Sequence, residues 1–283
     1  MHSLRGLSMP QPASPTANTS PGLHRLSRRR LAGQRVVITG GSSGVGRALA
    51  VELSRRGGVV LATARRQHLL EELAATSGVS ILAGDITSAA FRSQLVAVAE
   101  RRLGGIDVVV AAAGSGAVGP FSSADPATLR RIMEVDFLAP AELVRLSLPA
   151  LHASPDPAIV LVGSILGLHP LPWHADYCAA KSALHSLAAA LRVELSTIPI
   201  DVLLCSLGPT DSEFWDSLLV GQRPRWSHGR SLSAAVTARI IATALERRRK
   251  EVFPGWPAKG YALAARLCPW LIDTIMRRRM AAG

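Results

Sequence analysis

Acidic residues are absent from the first 51 positions, and lysine occurs only at Lys181, Lys250 and Lys259. The net charge of +12 is therefore carried almost wholly by arginine. Aromatic residues make up only 4% of the chain, and no nucleic-acid motif interleaves with the arginine clusters, which argues against a nucleic-acid partner. Two clusters, Arg28-Arg29-Arg30 and Arg277-Arg278-Arg279, are expected as solvated ends. A third, Arg247 to Lys250, follows a predicted helix, where cations favour the dipole. Cysteine is scarce as well. Cys178, Cys205 and Cys268 are odd in number and widely spaced, which excludes a disulfide framework and a zinc site. Free thiols fit a reducing, cytoplasmic setting. No apolar run is long enough for a signal peptide or a membrane span.

What is present is one long apolar-rich region, with 48% hydrophobic residues over 283 positions, enough for a large α/β domain. Residues 1–32, rich in Pro, Ser, Thr and Arg, are expected to be a disordered basic arm. Arg35 to Thr39 reads as a strand. It runs into Gly40-Gly41-Ser42-Ser43-Gly44-Val45-Gly46, and a helix follows from Arg47 to Arg56. Strand, glycine turn and helix form a phosphate-binding opening. Glycine lets the backbone turn tightly and approach a pyrophosphate, and the helix N-terminus offers free N–H groups to the anion.

Val59 to Ala64 is the second strand. Its end, Thr63-Ala64-Arg65-Arg66, lacks the carboxylate that would hold the ribose 2′-hydroxyl of NAD. Arg65 and Arg66 suit a phosphate instead, so NADP(H) is expected over NAD(H). A helix over Gln67 to Ala75 and a strand over Ser80 to Ala83 lead to Gly84-Asp85-Ile86. There Asp85 either meets the adenine ring or caps the helix over Ala89 to Arg102 with Thr87 or Ser88. The continuous apolar strand Ile106 to Ala112 ends at Ala113-Gly114, small residues that let a cofactor pass close. A helical pattern from Pro126 to His152 contains Pro140, expected to kink it.

Ser164 is expected just past the strand Ala158 to Val162, where open α/β sheets place ligands. Tyr177 and Lys181 then lie four apart on a helix reaching Leu195 and share one face. A phenol has an ordinary pKa of ~10, which a neighbouring ammonium lowers, so it could exchange a proton with a substrate oxygen that Ser164 also bonds. A sixth strand, Ile200 to Ser206, ends at Leu207-Gly208-Pro209-Thr210. Residues 211–231 read as a lid carrying Phe214, Trp215 and Trp226. With Leu166, Leu168, Leu171 and Trp173 they point to an apolar substrate. A helix (Ser233 to Arg248) and a short strand (Glu251 to Phe253) close the fold. Residues 256–283 form an amphipathic basic segment, apolar at 263, 267, 270, 271 and 275. It could lie on an anionic membrane surface or pack on the domain or across a dimer.

From about Arg35 to Phe253 the chain resembles the short-chain dehydrogenase/reductases. Thr39-Gly40-x-x-x-Gly44-x-Gly46 is similar to their cofactor motif. Ala111-Ala112-Ala113-Gly114 stands where the family usually has Asn-Asn-Ala-Gly. Ser164, Tyr177 and Lys181 resemble its catalytic serine, tyrosine and lysine, and Gly208-Pro209-Thr210-Asp211-Ser212 its Pro-Gly-x-x-x-Thr segment. The resemblance implies a single doubly wound Rossmann domain over residues 33–255, with about seven parallel strands flanked by helices. It also implies a homodimer or homotetramer, and hydride transfer between NADP(H) and a carbonyl or secondary alcohol. Lys181 would in addition bind the nicotinamide ribose. One departure stands out: Asp136, in Val135-Asp136, occupies the place of a catalytic asparagine. It motivates the alternative of a non-catalytic NADP(H)-binding or redox-sensing protein. A serine hydrolase fits poorly, because Gly163-Ser164-Ile165-Leu166-Gly167 lacks the G-x-S-x-G elbow.

Overall fold

The strands are the runs of apolar and β-branched residues between turn signals, and the central ones are buried along their whole length. The computed structural model describes residues 27–224 and 231–281. In chain order its strands are β1 (Arg35–Thr39), β2 (Val59–Ala64), β3 (Ser80–Ala83), β4 (Val108–Ala111), β5 (Ala158–Ser164), β6 (Asp201–Leu207), β7 (Thr210–Asp211), β8 (Leu232–Ser233) and β9 (Glu251–Val252). Seven of them form a parallel sheet in the order β3-β2-β1-β4-β5-β6-β9, and β7 pairs with β8 apart from it. All residues of β4 and β5 are buried, as a parallel sheet covered on both faces requires.

Alternate residues of each strand feed two cores. On one face Ile38, Val60, Val110 and Val160 pack with Leu49 and Leu53 of α1 (Gly44–Arg55), Leu70 and Leu73 of α2 (Gln67–Ser77), and Ile241 and Leu245 of α7 (Ala234–Glu246). On the other, Val37, Leu61, Val109 and Ile159 meet Leu95 of α3 (Ala89–Leu103), Leu143 of α5 (Ala139–His152) and Leu184 of α6 (Ala175–Glu194). The strand order reverses between β1 and β4, and a ligand crevice opens above the C-terminal ends of the strands at such a point.

The pattern over 126–152 is not one kinked helix. It divides into α4 (Pro126–Met133), a π-helical turn over Glu134–Leu138, and α5. The Ala139 amide bonds the Glu134 carbonyl, one residue further back than in an α-helix. Pro140, with no N–H to give to the carbonyl four residues earlier, stands in the first turn of α5, so the irregularity falls before it rather than at it.

Residues 27–32, expected within a disordered arm, are folded onto the domain, so the arm's expected boundary is corrected here. Arg29 is 2% exposed and so is not a solvated end. Its guanidinium reaches Asp156 at 2.9 Å, Asp201 at 2.9 Å and the Pro157 carbonyl at 2.9 Å, all at the starts of β5 and β6. Arg248, in a left-handed backbone conformation (φ 51°), adds contacts to Asp156 at 2.8 Å and Asp201 at 2.7 Å. These cations hold the Asp156 carboxyl below its usual range despite burial, which pushes it up. The expectation for residues 1–26, like that for Trp226, lies outside the described residues.

The C-terminal segment forms α8 (Trp256–Leu267) and α9 (Pro269–Ala281), separated at Cys268 and Pro269. No helix among the described residues is long and apolar enough to cross a membrane. Replacement of Arg29 by Ala is expected to lower unfolding stability by roughly 2–3 kcal/mol, at the low end for a broken buried pair because Arg248 remains on both carboxylates. Urea denaturation of the two proteins measures it.

Candidate active site

The glycine turn is shaped by close approach. A Cβ on Gly46 would lie 2.2 Å from the Gly40 carbonyl oxygen, so only glycine lets α1 rise directly off the turn. Gly40, at φ 73°, is itself pressed on β4, where a Cβ would meet the Ala112 carbonyl at 2.8 Å. Thr39 ties the two strand ends together, its hydroxyl accepting from the Ala112 and Ala113 amides at 3.1 Å each. Ser43, the N-cap of α1, makes no side-chain capping bond. The first N–H groups of α1 therefore face the crevice available to an anion.

The crevice is a cavity of about 590 Å³ that runs from this turn to Tyr177. Gly40, Ser42, Ser43, Gly44, Val45 and Gly46 line it at one end, with Arg65, Arg66, Asp85 and Ile86. Ala113, Gly114, Asp136, Gly208, Pro209 and Thr210 line its middle, and Ser164, Tyr177 and Lys181 the far end. Every residue singled out in the sequence for cofactor or catalysis thus borders one space. The two arginines differ within it. Arg66 is held by Glu213 at 3.0 Å and by the Ser42 hydroxyl at 3.2 Å. Arg65 is exposed and makes no ion pair among the described residues. Asp85 accepts from the Thr87 amide at 3.0 Å and from Arg131 at 3.0 Å. Its pKa lies at about 2: burial pushes it up, but these donors outweigh that.

Ser164 is the last residue of β5 rather than the first beyond it, and its hydroxyl accepts from the Leu166 amide at 3.2 Å. Lys181 is 4% exposed. Its ammonium donates to the Val162 carbonyl at 3.0 Å, pairs with Asp136 at 3.0 Å and sits 5.7 Å from the centre of the Tyr177 ring. Asp136 is fully buried and also accepts from the Ser115 amide at 3.0 Å and hydroxyl at 2.9 Å. Gly114 makes room for this pair, because a Cβ there would stand 3.0 Å from the carboxylate. Burial pulls the Lys181 pKa down, but the Asp136 carboxylate beside it holds it above the ordinary lysine value.

The expected depression of the Tyr177 pKa is reversed. Burial pushes it above the ordinary value. Lys181 pulls it down, Asp136 pushes it up again, and a hydrogen bond from Ser164 does not restore the balance. Tyr177 is therefore a phenol at neutral pH, poised to give a proton.

Phe214 packs on Tyr177 at 5.5 Å and on Trp215 at 5.4 Å, and its ring lies so close to Gly116 that a Cβ there would be 2.5 Å away. Of the apolar residues named from sequence, Leu166, Leu171, Phe214 and Trp215 border the cavity, while Leu168 and Trp173 do not. Sequence reasoning missed Ser115, Leu218, Leu219 and His174. Ser115 adjoins Gly114, and Leu218 and Leu219 lie inside the lid segment 211–231, so these three stood beside signals already read. Cys178 is buried among packed side chains, and burial raises its thiol pKa to about 11.

Residues 34–222 match the family described as short chain dehydrogenase. A Hydroxysteroid 11-beta-dehydrogenase 1-like protein of Xenopus tropicalis is 34% identical over 65% of this chain and 66% of its own length. One of the same description from Gallus gallus is 30% identical over 80% of each. A crystal structure of a short-chain dehydrogenase from Streptomyces avermitilis superposes with a TM-score of 0.76 at 25% identity, covering 88% of this chain and 98% of that one. With its seven-stranded parallel sheet and this cavity, the chain belongs to the short-chain dehydrogenases, Rossmann-fold oxidoreductases that act on CH–OH groups with a nicotinamide cofactor.

Proposed function

We propose that the chain is an NADP(H)-dependent reductase of apolar carbonyl compounds, catalysed by Tyr177 with Ser164 and Lys181. The observation that carries the reading is the convergence of Tyr177, Ser164 and the buried Lys181 ammonium on one end of the cavity, with the ammonium 5.7 Å from the centre of the Tyr177 ring. The fit to the cofactor rests on the Gly40–Gly46 approach and the open N-terminus of α1, which suit a pyrophosphate, and on Arg65, left free for a 2′-phosphate. Asp85 and Ile86 would hold the adenine end of the cofactor, and Ala113, Gly114, Gly208, Pro209 and Thr210, which also line the cavity, would flank its nicotinamide end. The cofactor supplies hydride when bound. Ser164 donates to the substrate oxygen and orients it. Tyr177 delivers a proton to that oxygen as charge builds on it, and Lys181 steadies the phenolate left behind.

Leu166, Leu171, Phe214, Trp215, Leu218 and Leu219 offer a substrate surface without fixed charge, which supports an apolar ketone or secondary alcohol. The names of the Xenopus and Gallus relatives support a steroid-like alcohol within that class. Free Cys178, Cys205 and Cys268 support a cytoplasmic setting. A homodimer or homotetramer, and a peripheral contact of the C-terminal segment with anionic membrane, belong to the same reading. The Asp136–Lys181 ion pair favours a second reading, a non-catalytic NADP(H) binder, because a carboxylate weakens the lysine's pull on the phenol.

Fluorescence titration is expected to show NADPH bound more tightly than NADH. In Arg65→Gln the NADPH affinity should fall roughly 10–100-fold with NADH unchanged; an equal loss for both would count against the phosphate role. Tyr177→Phe is expected to lower kcat for an apolar ketone by about 100-fold or more while retaining NADPH binding. Turnover that vanishes in this variant removes the non-catalytic reading, and a wild type without turnover on any ketone establishes it. In Asp136→Asn the charge opposing ionisation of Tyr177 is gone, so the phenol pKa falls. Ketone reduction, which needs the phenol, then loses its alkaline end at lower pH, and alcohol oxidation, which needs the phenolate, rises at lower pH. Profiles of kcat/KM against pH test this shift, and superimposable profiles would contradict it.

A further inference from the structure

Exposed large apolar residues gather on α8 and α9. Trp256 is 82% exposed, Leu267 69%, Trp270 65% and Leu263 60%, with Leu271 and Ile275 beside them. Positions 256, 260, 263 and 267 share one face of α8, while Ala258 and Ala262 on the opposite face are buried against the domain. The apolar stripe is thus turned outward by the way the helix packs.

Charge identifies what covers it. From residue 256 onward the segment carries Lys259, Arg266, Arg277, Arg278 and Arg279, and the sole acid is Asp273, paired with His169 at 2.9 Å. The Lys259 ammonium lies 4.9 Å from the centre of the Trp256 ring, joining a cation to an amphipathic aromatic, as suits a lipid headgroup region. A second copy docked face to face would set this basic face against another of the same sign. An anionic lipid surface complements both the apolar stripe and its basic flank.

The same helices brace the wall of the cavity from behind. Ala258 closes on Gly208, where a Cβ would come within 3.1 Å of it. The Tyr261 hydroxyl donates to the His169 carbonyl at 2.8 Å, and Asp273 holds the His169 ring. His169 stands in the loop that carries Leu166 and Leu171 into the cavity and ends at Trp173, 37% exposed. The Trp173 carbonyl accepts from the Gly119 amide at 2.9 Å, next to the exposed Leu219 and Val220 of the lid.

We propose that α8 and α9 seat on an anionic bilayer and that this seat turns the rim formed by Trp173, Leu219 and Val220 toward lipid, so that apolar substrate enters from the membrane. The substrate half of this inference rests on the apolar-carbonyl reading above; the seat deepens the peripheral membrane contact named there and does not depend on the substrate. Flotation of the full chain with phosphatidylcholine vesicles containing about 30 mol % phosphatidylglycerol tests the seat. The wild type is expected to float with these and not with phosphatidylcholine alone. A Trp256→Glu/Trp270→Glu variant should bind at least about tenfold more weakly, since two exposed rings lose their apolar burial without disturbing the fold. Equal flotation of the two proteins, or a dimer that the variant dissociates in sedimentation, overturns the seat. The rim is tested in a variant whose other tryptophans are phenylalanine: brominated lipid should quench Trp173 fluorescence, and an unquenched Trp173 on bound vesicles overturns lipid-side entry. NADPH titration of the same preparations separates the two readings, because absent flotation with intact NADPH binding removes the membrane seat and leaves the reductase standing.

Discussion

The buried ammonium of Lys181 is the interaction on which the active end of the cavity depends. A cation almost sealed from water is tolerated only if it is paired and bonded, and three elements meet there to achieve this. The β5 backbone gives the Val162 carbonyl, the π-turn before α5 gives Asp136, and α6 carries the lysine itself. Removing any of the three would strand a charge, so strand end, π-turn and helix are fixed relative to one another. Tyr177, one turn before the lysine, inherits that fixed position.

The π-turn is the price of placing Asp136 there. One extra residue in a helical turn rotates the following residues by about 100° relative to a regular α-helix. Without it, Asp136 and the apolar face of α5, with Leu143 and Leu151 in the core, would not both point inward. Pro140 fits this arrangement because it has no amide to restore the regular ladder. Ser115, bonded through both its amide and its hydroxyl, then satisfies the carboxylate oxygen turned away from the lysine.

The parallel sheet was legible in the sequence because strands buried on both faces read as contiguous apolar runs between glycines. Val108–Ala111 and Ala158–Ser164 are of that kind. The glycine turn and the Tyr177–Lys181 pair were legible because each is a local spacing. What escaped were relations between distant segments. The clamp of Arg29 on Asp156 and Asp201 joins residues 127 and 172 positions apart, and composition alone made this arginine look solvated. Engagement of Arg66 by Glu213 spans 147 positions and divides two neighbouring arginines that the sequence could not tell apart. The sign of the Tyr177 shift was misread for a related reason: adjacency reveals the lysine, but not the burial and the carboxylate that outweigh it.

The Arg29 clamp also gives the molecule two poles. It holds the first described residues against the starts of β5 and β6, whereas the cavity, the lid and the apolar faces of α8 and α9 gather around the other ends of those strands. Seven residues of β5 separate the poles by about 20 Å. A protein immobilised through the surface around Asp156 and Asp201 would therefore present the cavity and its basic, apolar collar outward, away from the support.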